Sequence, residues 1–152
     1  MSVRADVAAS FAAARSDAGL LQAALRVEEI GALAYAAGAM ALRGEERAMA
    51  QRFADHEHQH AAALETMLQA LTVPVRRHAG PADLDALLPG LADGSRAEVL
   101  RGLAELEQAA MDGHELLARR LTALDALRTV AMVTGGAAQH LVALRNAEEI
   151  NT

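Results

Sequence analysis

The chain has no cysteine, no tryptophan and no lysine among its 152 residues. Without cysteine there can be no disulfide, iron–sulfur cluster or thiolate zinc site, and cysteine usage is silent on redox compartment. The aromatic side chains are Phe11, Phe53 and Tyr35 alone. The formal net charge is −6, and no basic stripe with interleaved aromatics occurs, which argues against a nucleic-acid partner. No uncharged apolar run reaches the roughly 20 residues that span a bilayer, so no membrane partner is expected. The N-terminal MSVRADVAAS lacks a basic segment followed by an apolar one, so no signal peptide is expected and the location reads as cytoplasmic.

What is present is apolar and small. About half the residues are hydrophobic, and alanine is used heavily. Alanine and leucine are strong helix formers, and alanine lets helix backbones approach closely. At this length a single domain can bury a substantial core. The pattern predicts a helix-prone lead-in over 1–18, a four-helix bundle over 19–147 and a short tail over 148–152. The first long helix should run from about Gly19 to Arg43, with Gly44 as its stop, and the second from about Glu45 to Leu71. All three prolines (Pro74, Pro81, Pro89) fall between 72 and 95, which makes this segment a long connection with one short helix at DLDALL. Ser95-x-x-Glu98 is a capping-box signature and opens the third helix, to about Leu121; the fourth ends near Ala147. The fold class is therefore all-α. One long crossover between the second and third helices separates this order from a simple up-down-up-down bundle.

Polar residues interrupt each apolar seam. The third helix places Leu100, Leu103, Glu107, Ala110, His114, Leu117 and Leu121 on one face by 3-4 spacing, a core-facing stripe. The first does so with Leu25, Glu28, Ala32 and Tyr35, the second with Phe53, Glu57, His60 and Leu64, the fourth with Val133, Ala137, His140 and Leu144. Glu28 precedes Tyr35 by seven residues and Glu107 precedes His114 by seven, two helical turns in each case. Glu29 and Glu105 are local rivals of Glu28 and Glu107, but lie off the seams. An ionised carboxylate in a core costs several kcal/mol, and three converging would repel one another. Lysine is absent and arginine lies off the seams, so protonation or a bound metal is the available compensation. Oxygen and imidazole donors suit iron or manganese, and also zinc. Glu-x-x-His alone is a weak motif, and His56 and His58 read as solvated or supporting side chains. The joint pattern over four helices carries the argument.

These residues resemble the ferritin-like superfamily, in particular its bacterial ferritin-like and rubrerythrin-type members with a carboxylate-bridged di-metal site. Glu28-Glu29-Ile30 with Tyr35 is similar to the family's first helix, His56-Glu57-His58-Gln59-His60 to its second-helix Glu-x-x-His, Leu106-Glu107 with His114 to its third, and Gln139-His140 with Leu144-Arg145 to the end of its fourth. The resemblance implies metal ligation by Glu28, Glu57, His60, Glu107 and His140, with His114 as a sixth candidate. It also implies a bridging role for Glu57, and for Tyr35 donation of a hydrogen bond or an electron. Ala137 stands where a second bridging Glu belongs, and His114 where a partner of Tyr35 would be aromatic, so a mononuclear and a dinuclear site both remain open.

Three functional readings follow. The first is an iron-dependent oxidoreductase in which Fe(II) reacts with O2 or peroxide, Tyr35 and Glu57 serving the chemistry. The second is a bundle that has lost catalysis and serves assembly or partner binding. The third binds iron, manganese or zinc without turnover. A homo-oligomer, a dimer first, is expected. Haem between bundle histidines ranks last.

Overall fold

The computed structural model describes residues 2–150. Four long helices form the body: α2 (Asp17–Ala41), α3 (Gly44–Ala70), α5 (Arg96–Arg120) and α6 (Leu124–Glu149). A short α1 (Val3–Ala13) precedes them, and the crossover carries a further short helix, α4 (Pro81–Leu87), and a 3-10 turn (Leu91–Asp93). No strand occurs among the described residues, and no helix there is long and apolar enough to cross a membrane.

Local chemistry sets the starts. Ser2 and Ser16 cap α1 and α2 by accepting from the Ala5 and Gly19 amides, filling donors a helix leaves unpaired in its first turn. Ser95 and Glu98 form the expected capping box on α5, with the Ser95 amide donating to Glu98 Oε2 at 2.8 Å. The turn between α2 and α3 differs from expectation. α2 ends at Ala41, Leu42 and Arg43 are extended, and Gly44 opens α3 with φ +55°. The glycine serves the turn as the first residue of the second helix and not as the stop of the first.

Packing follows the two hairpins. α2 lies along α3, α5 along α6, and the pairs join chiefly through α2 against α5, while α3 and α6 touch more lightly. Tyr35, Phe11 and a set of leucines (among them Leu21, Leu25, Leu64, Leu103 and Leu144) are fully enclosed, each worth about 1.5–3 kcal/mol of transfer free energy. Asp17 closes one end, accepting from the Thr122 hydroxyl at 2.6 Å and the Thr122 and Ala123 amides at 3.1 and 3.2 Å. Arg96 closes the other, pairing with Glu46 and donating to the Ala147 carbonyl at 2.7 Å.

The crossover is held by the outer face of α2. Gln22, Arg26 and Glu29 are spaced four and three residues apart, so they line one face. Gln22 donates to the Pro74 carbonyl at 2.8 Å, Arg26 to Asp83 at 2.7 Å, and Glu29 accepts from the Ala79 amide at 2.7 Å and from His78. Glu29 is thereby a structural clasp, while Glu28, one residue earlier, faces the interior.

Candidate metal centre

The seams converge inside the bundle. Glu28 comes from α2, Glu57 and His60 from α3, Glu107 and His114 from α5, and His140 from α6; all six are buried. They include every carboxylate and imidazole expected from the seam pattern. Two tight donor groups form: Glu28, Glu57 and His60, then Glu57, Glu107 and His140, with one donor atom per residue within 4.8 Å of the others in its group. Glu57 belongs to both. His114 lies in neither: its Nε2 stands 3.0 Å from Glu28 Oε1, whereas His60 approaches Oε2. Ala137 is buried on the inner face of α6, so α6 contributes His140 and no carboxylate to these groups.

The histidines of both donor groups, His60 and His140, turn Nδ1 to the carboxylates. His60 Nδ1 is 3.0 Å from Glu28 Oε2 and 3.7 Å from Glu57 Oε1. His140 Nδ1 is 2.9 Å from Glu107 Oε1 and 3.0 Å from Glu57 Oε1. Tyr35 donates its hydroxyl proton to Glu107 Oε1 at 2.5 Å. Behind His140, its Nε2 meets Nδ1 of the exposed His56 at 3.1 Å, and Phe53 stacks on the ring with centroids 3.9 Å apart. His56 thus supports His140 and is not itself a ligand in either group.

Without a cation, protons hold this cluster together. Burial works against ionising Glu28, but the neighbouring His114 and His60 imidazoles outweigh it and hold its carboxyl down to about 2. Burial pushes the Glu57 carboxyl up, and the Glu28 charge adds to the rise. Burial also raises Glu107, against the pull of its His140 hydrogen bond. For His60 burial disfavours the cation, yet hydrogen bonds to Glu28 and Glu57 win and raise it to about 10. His140 rises likewise to about 9 through Glu107 and Glu57. Tyr35 is raised by burial and by the Glu107 charge, so it is a proton donor throughout the neutral range.

A cation fits this arrangement better than protons do. Glu28 Oε1, Glu57 Oε1 and both ring nitrogens of His114 are buried without a hydrogen-bond partner, although the pairs just described bring some of them within 3.0 Å of a neighbouring nitrogen or oxygen. Close approach without alignment, as between Glu57 Oε1 and His140 Nδ1, is how ligands of one ion meet: two donors about 2.1 Å from a metal, at right angles, are about 3 Å apart. Glycines make room for the group. A Cβ at Gly31 would come 2.8 Å from Glu57 Oε2, and one at Gly136 would collide with the His60 ring. Carboxylate and imidazole donors suit iron, manganese or zinc.

Sequence reasoning missed these glycines and the Phe53 and His56 contacts with His140. The available signal was position: Gly31 follows Glu28 by three residues and Gly136 precedes His140 by four, so each shares a ligand's face. Nothing in the sequence pairs Gly136 with His60, which lies on another helix.

A ferritin-like domain model matches residues 16–149. Three solved structures share the fold. A conserved hypothetical protein from Mycobacterium tuberculosis superposes with a TM-score of 0.75 at 14% identity, covering 86% of this chain and 96% of its own. A proposed ferritin-like diiron-carboxylate protein from Thermotoga maritima gives 0.73 at 21% identity, covering 91% and 97%. A hypothetical protein from Pyrococcus furiosus gives 0.70 at 19% identity, covering 89% of each chain. No curated protein matches the chain at a significant level.

Proposed function

The chain belongs to the ferritin-like domain family, and from that premise we propose that its buried Glu/His cluster binds two metal ions, iron first, and serves oxidation of Fe(II) by O2 or peroxide. The observation that carries this reading is the sharing of Glu57 by two donor groups. Glu28, His60 and Glu57 would hold one ion, and Glu107, His140 and Glu57 the other. Bound iron would supply the one-electron chemistry that amino-acid side chains lack.

The protein's own contribution is orientation. Glu57 would tie the two positions together, and the close approaches of Gly31 to Glu57 and of Gly136 to the His60 ring seat these two side chains against the backbones of α2 and α6. Tyr35 donates its proton to Glu107 Oε1, fixes which carboxylate oxygen faces the site, and is the oxidisable side chain beside it. His56 Nδ1 lies 3.1 Å from His140 Nε2, so once a metal displaces the Nδ1 proton His56 would accept from Nε2–H and hold His140 in the ligating tautomer; the partner on the far ring nitrogen commonly sets the tautomer of a ligand histidine.

The test is metal analysis after expression in iron-supplemented medium, followed by anaerobic Fe(II) titration and exposure to air. Two irons per chain and oxygen consumption are expected, and Glu57→Ala should lose both. Iron oxidation by Glu57→Ala at the wild-type rate would sink the reading. The missing carboxylate at Ala137 favours a second reading, metal binding without turnover. Stoichiometric uptake with no oxygen consumed would select it, and manganese or zinc are its alternative occupants.

The same protein is proposed to be a homodimer. Exposed Leu124, Met132, Val142 and Ile150 line the outer face of α6, and their positions are symmetric about residue 137. In an antiparallel two-fold pairing of α6 with a second copy, Leu124 would meet the partner's Ile150 and Met132 the partner's Val142, the self-complementarity an isologous interface requires.

A further inference from the structure

The two inner carboxylates are gripped from opposite helices. Tyr35 lies two turns beyond Glu28 on α2, yet its hydroxyl reaches across to Glu107 on α5. His114 lies two turns beyond Glu107 on α5, and its Nε2 reaches across to Glu28 on α2. In each case Oε1 is the oxygen approached. The other oxygen of Glu28, Oε2, is the one that faces His60.

We infer that His114 is a positioning residue and not a metal ligand: it is the reciprocal of Tyr35, a crossed clamp that holds Glu28 Oε1 and presents Oε2 to the metal. This rests on the two-metal reading above and deepens it. Three observations carry it. His114 Nε2 falls outside both tight donor groups, while standing 3.0 Å from Glu28 Oε1. Glu28 Oε1 and His114 Nε2 are both buried without a hydrogen-bond partner, so each is the neighbour that can satisfy the other after a small turn of the ring. Finally, His114 has a wall at its back. The edge of Phe11 meets its ring with centroids 6.4 Å apart, and Phe11 occupies the space a side chain at position 113 would fill.

The clamp has a direct chemical consequence. A carboxylate with one oxygen held by a donor offers the metal its other oxygen, so His114 sets the binding mode of Glu28; Tyr35 differs in holding Glu107 by Oε1, the same oxygen that faces His140 Nδ1. Supporting groups of this kind typically change metal affinity by about 10- to 100-fold when removed. The two clamps also differ: a phenol is oxidisable and an imidazole is far less so. One metal position therefore has a redox-active neighbour and the other an inert one.

The test uses Co(II) alone as probe, with the full chain. In Co(II)-loaded wild type, strongly contact-shifted imidazole resonances should arise from two histidines, His60 and His140. Such shifts from three would make His114 a ligand and overturn the inference, and this arm needs no variant. In titrations, His114→Leu should bind Co(II) about 10- to 100-fold more weakly. His114→Gln, whose side-chain amide can reach the position of Nε2, should recover most of that loss. Wild-type affinity in His114→Leu, or no recovery in a folded His114→Gln, overturns it. Wild type that takes up no Co(II) defeats the metal reading itself, and the clamp with it, a result distinct from wild type and variants binding alike.

Discussion

At the scale of single residues, the centre depends on which atoms are small as much as on which are polar. Gly136 separates α6 from the His60 ring, and any Cβ there must displace that ring. Gly136→Ala should cost about 1–3 kcal/mol by overpacking and weaken metal uptake. Gly135→Ala, whose added methyl meets nothing in the chain, should be neutral or stabilising by up to about 1 kcal/mol. Chemical denaturation and Co(II) titration of the pair check this; equal effects at both positions would refute the close approach. The titration of the cluster makes a second expectation. With His60 and His140 raised to about 10 and about 9, both imidazoles are protonated near neutral pH in the metal-free protein and must give up those protons to bind a metal. Metal binding should therefore release protons, and apparent affinity should climb with pH until about 9–10. Calorimetry in buffers of different ionisation enthalpy measures the release directly, and a pH-independent affinity would contradict it. Without metal the sign reverses. The raised histidines contribute stability that is fully present below pH ~6.5 and lost as pH rises through their folded values.

At the scale of elements, the sequence was legible where a signal was local. The Ser95–Glu98 box lies within one turn and announces α5; the prolines announce the crossover; the 3-4 spacing of apolar residues announces the buried faces, and with them Glu28, Glu57, His60, Glu107 and His140. It was illegible where partners are far apart in the chain. Glu29 and Glu28 look interchangeable in sequence, and only the fold shows one clasping the crossover while the other enters the core. Gly44 reads equally well as the end of one helix or the beginning of the next. His114 shares its seam with Glu107, which marks it as buried, but not that its neighbour would be a carboxylate on another helix. The clasp can be tested at its own scale. Glu29→Ala removes the acceptor of the Ala79 amide, a loss of about 1 kcal/mol, and should speed hydrogen exchange and proteolysis over residues 72–95 while leaving Co(II) affinity unchanged. A drop in metal affinity without loosening of the crossover would mean that Glu29 acts at the centre.

At the scale of the whole molecule, the bundle is a frame with unequal sides. α2 is tightly engaged with α3 and α5, whereas α6 rests mainly on α5 and turns outward a stripe of Leu124, Met132, Val142 and Ile150 interspersed with exposed Arg128, Gln139 and Asn146. If that stripe is a two-fold interface, Met132→Glu should yield monomers in sedimentation or light scattering, since a carboxylate facing a second apolar helix is costly. A wild-type monomer at tens of micromolar would remove the proposal. Binding of metal to the folded state alone should also raise the melting temperature in a concentration-dependent way.

The short first helix lies outside the span that matches the family, residues 16–149. Yet its Phe11 is wholly enclosed beside Gly113 and His114, and Arg120 grips its end through the carbonyls of Phe11 and Ala14. Anyone who trims this protein to its family boundaries, or grafts its bundle into a chimera, would remove the back wall of the His114 pocket and leave a slot the size of a benzyl group. Such a slot beside a buried imidazole is where a small aromatic molecule could be installed in place of the lost ring.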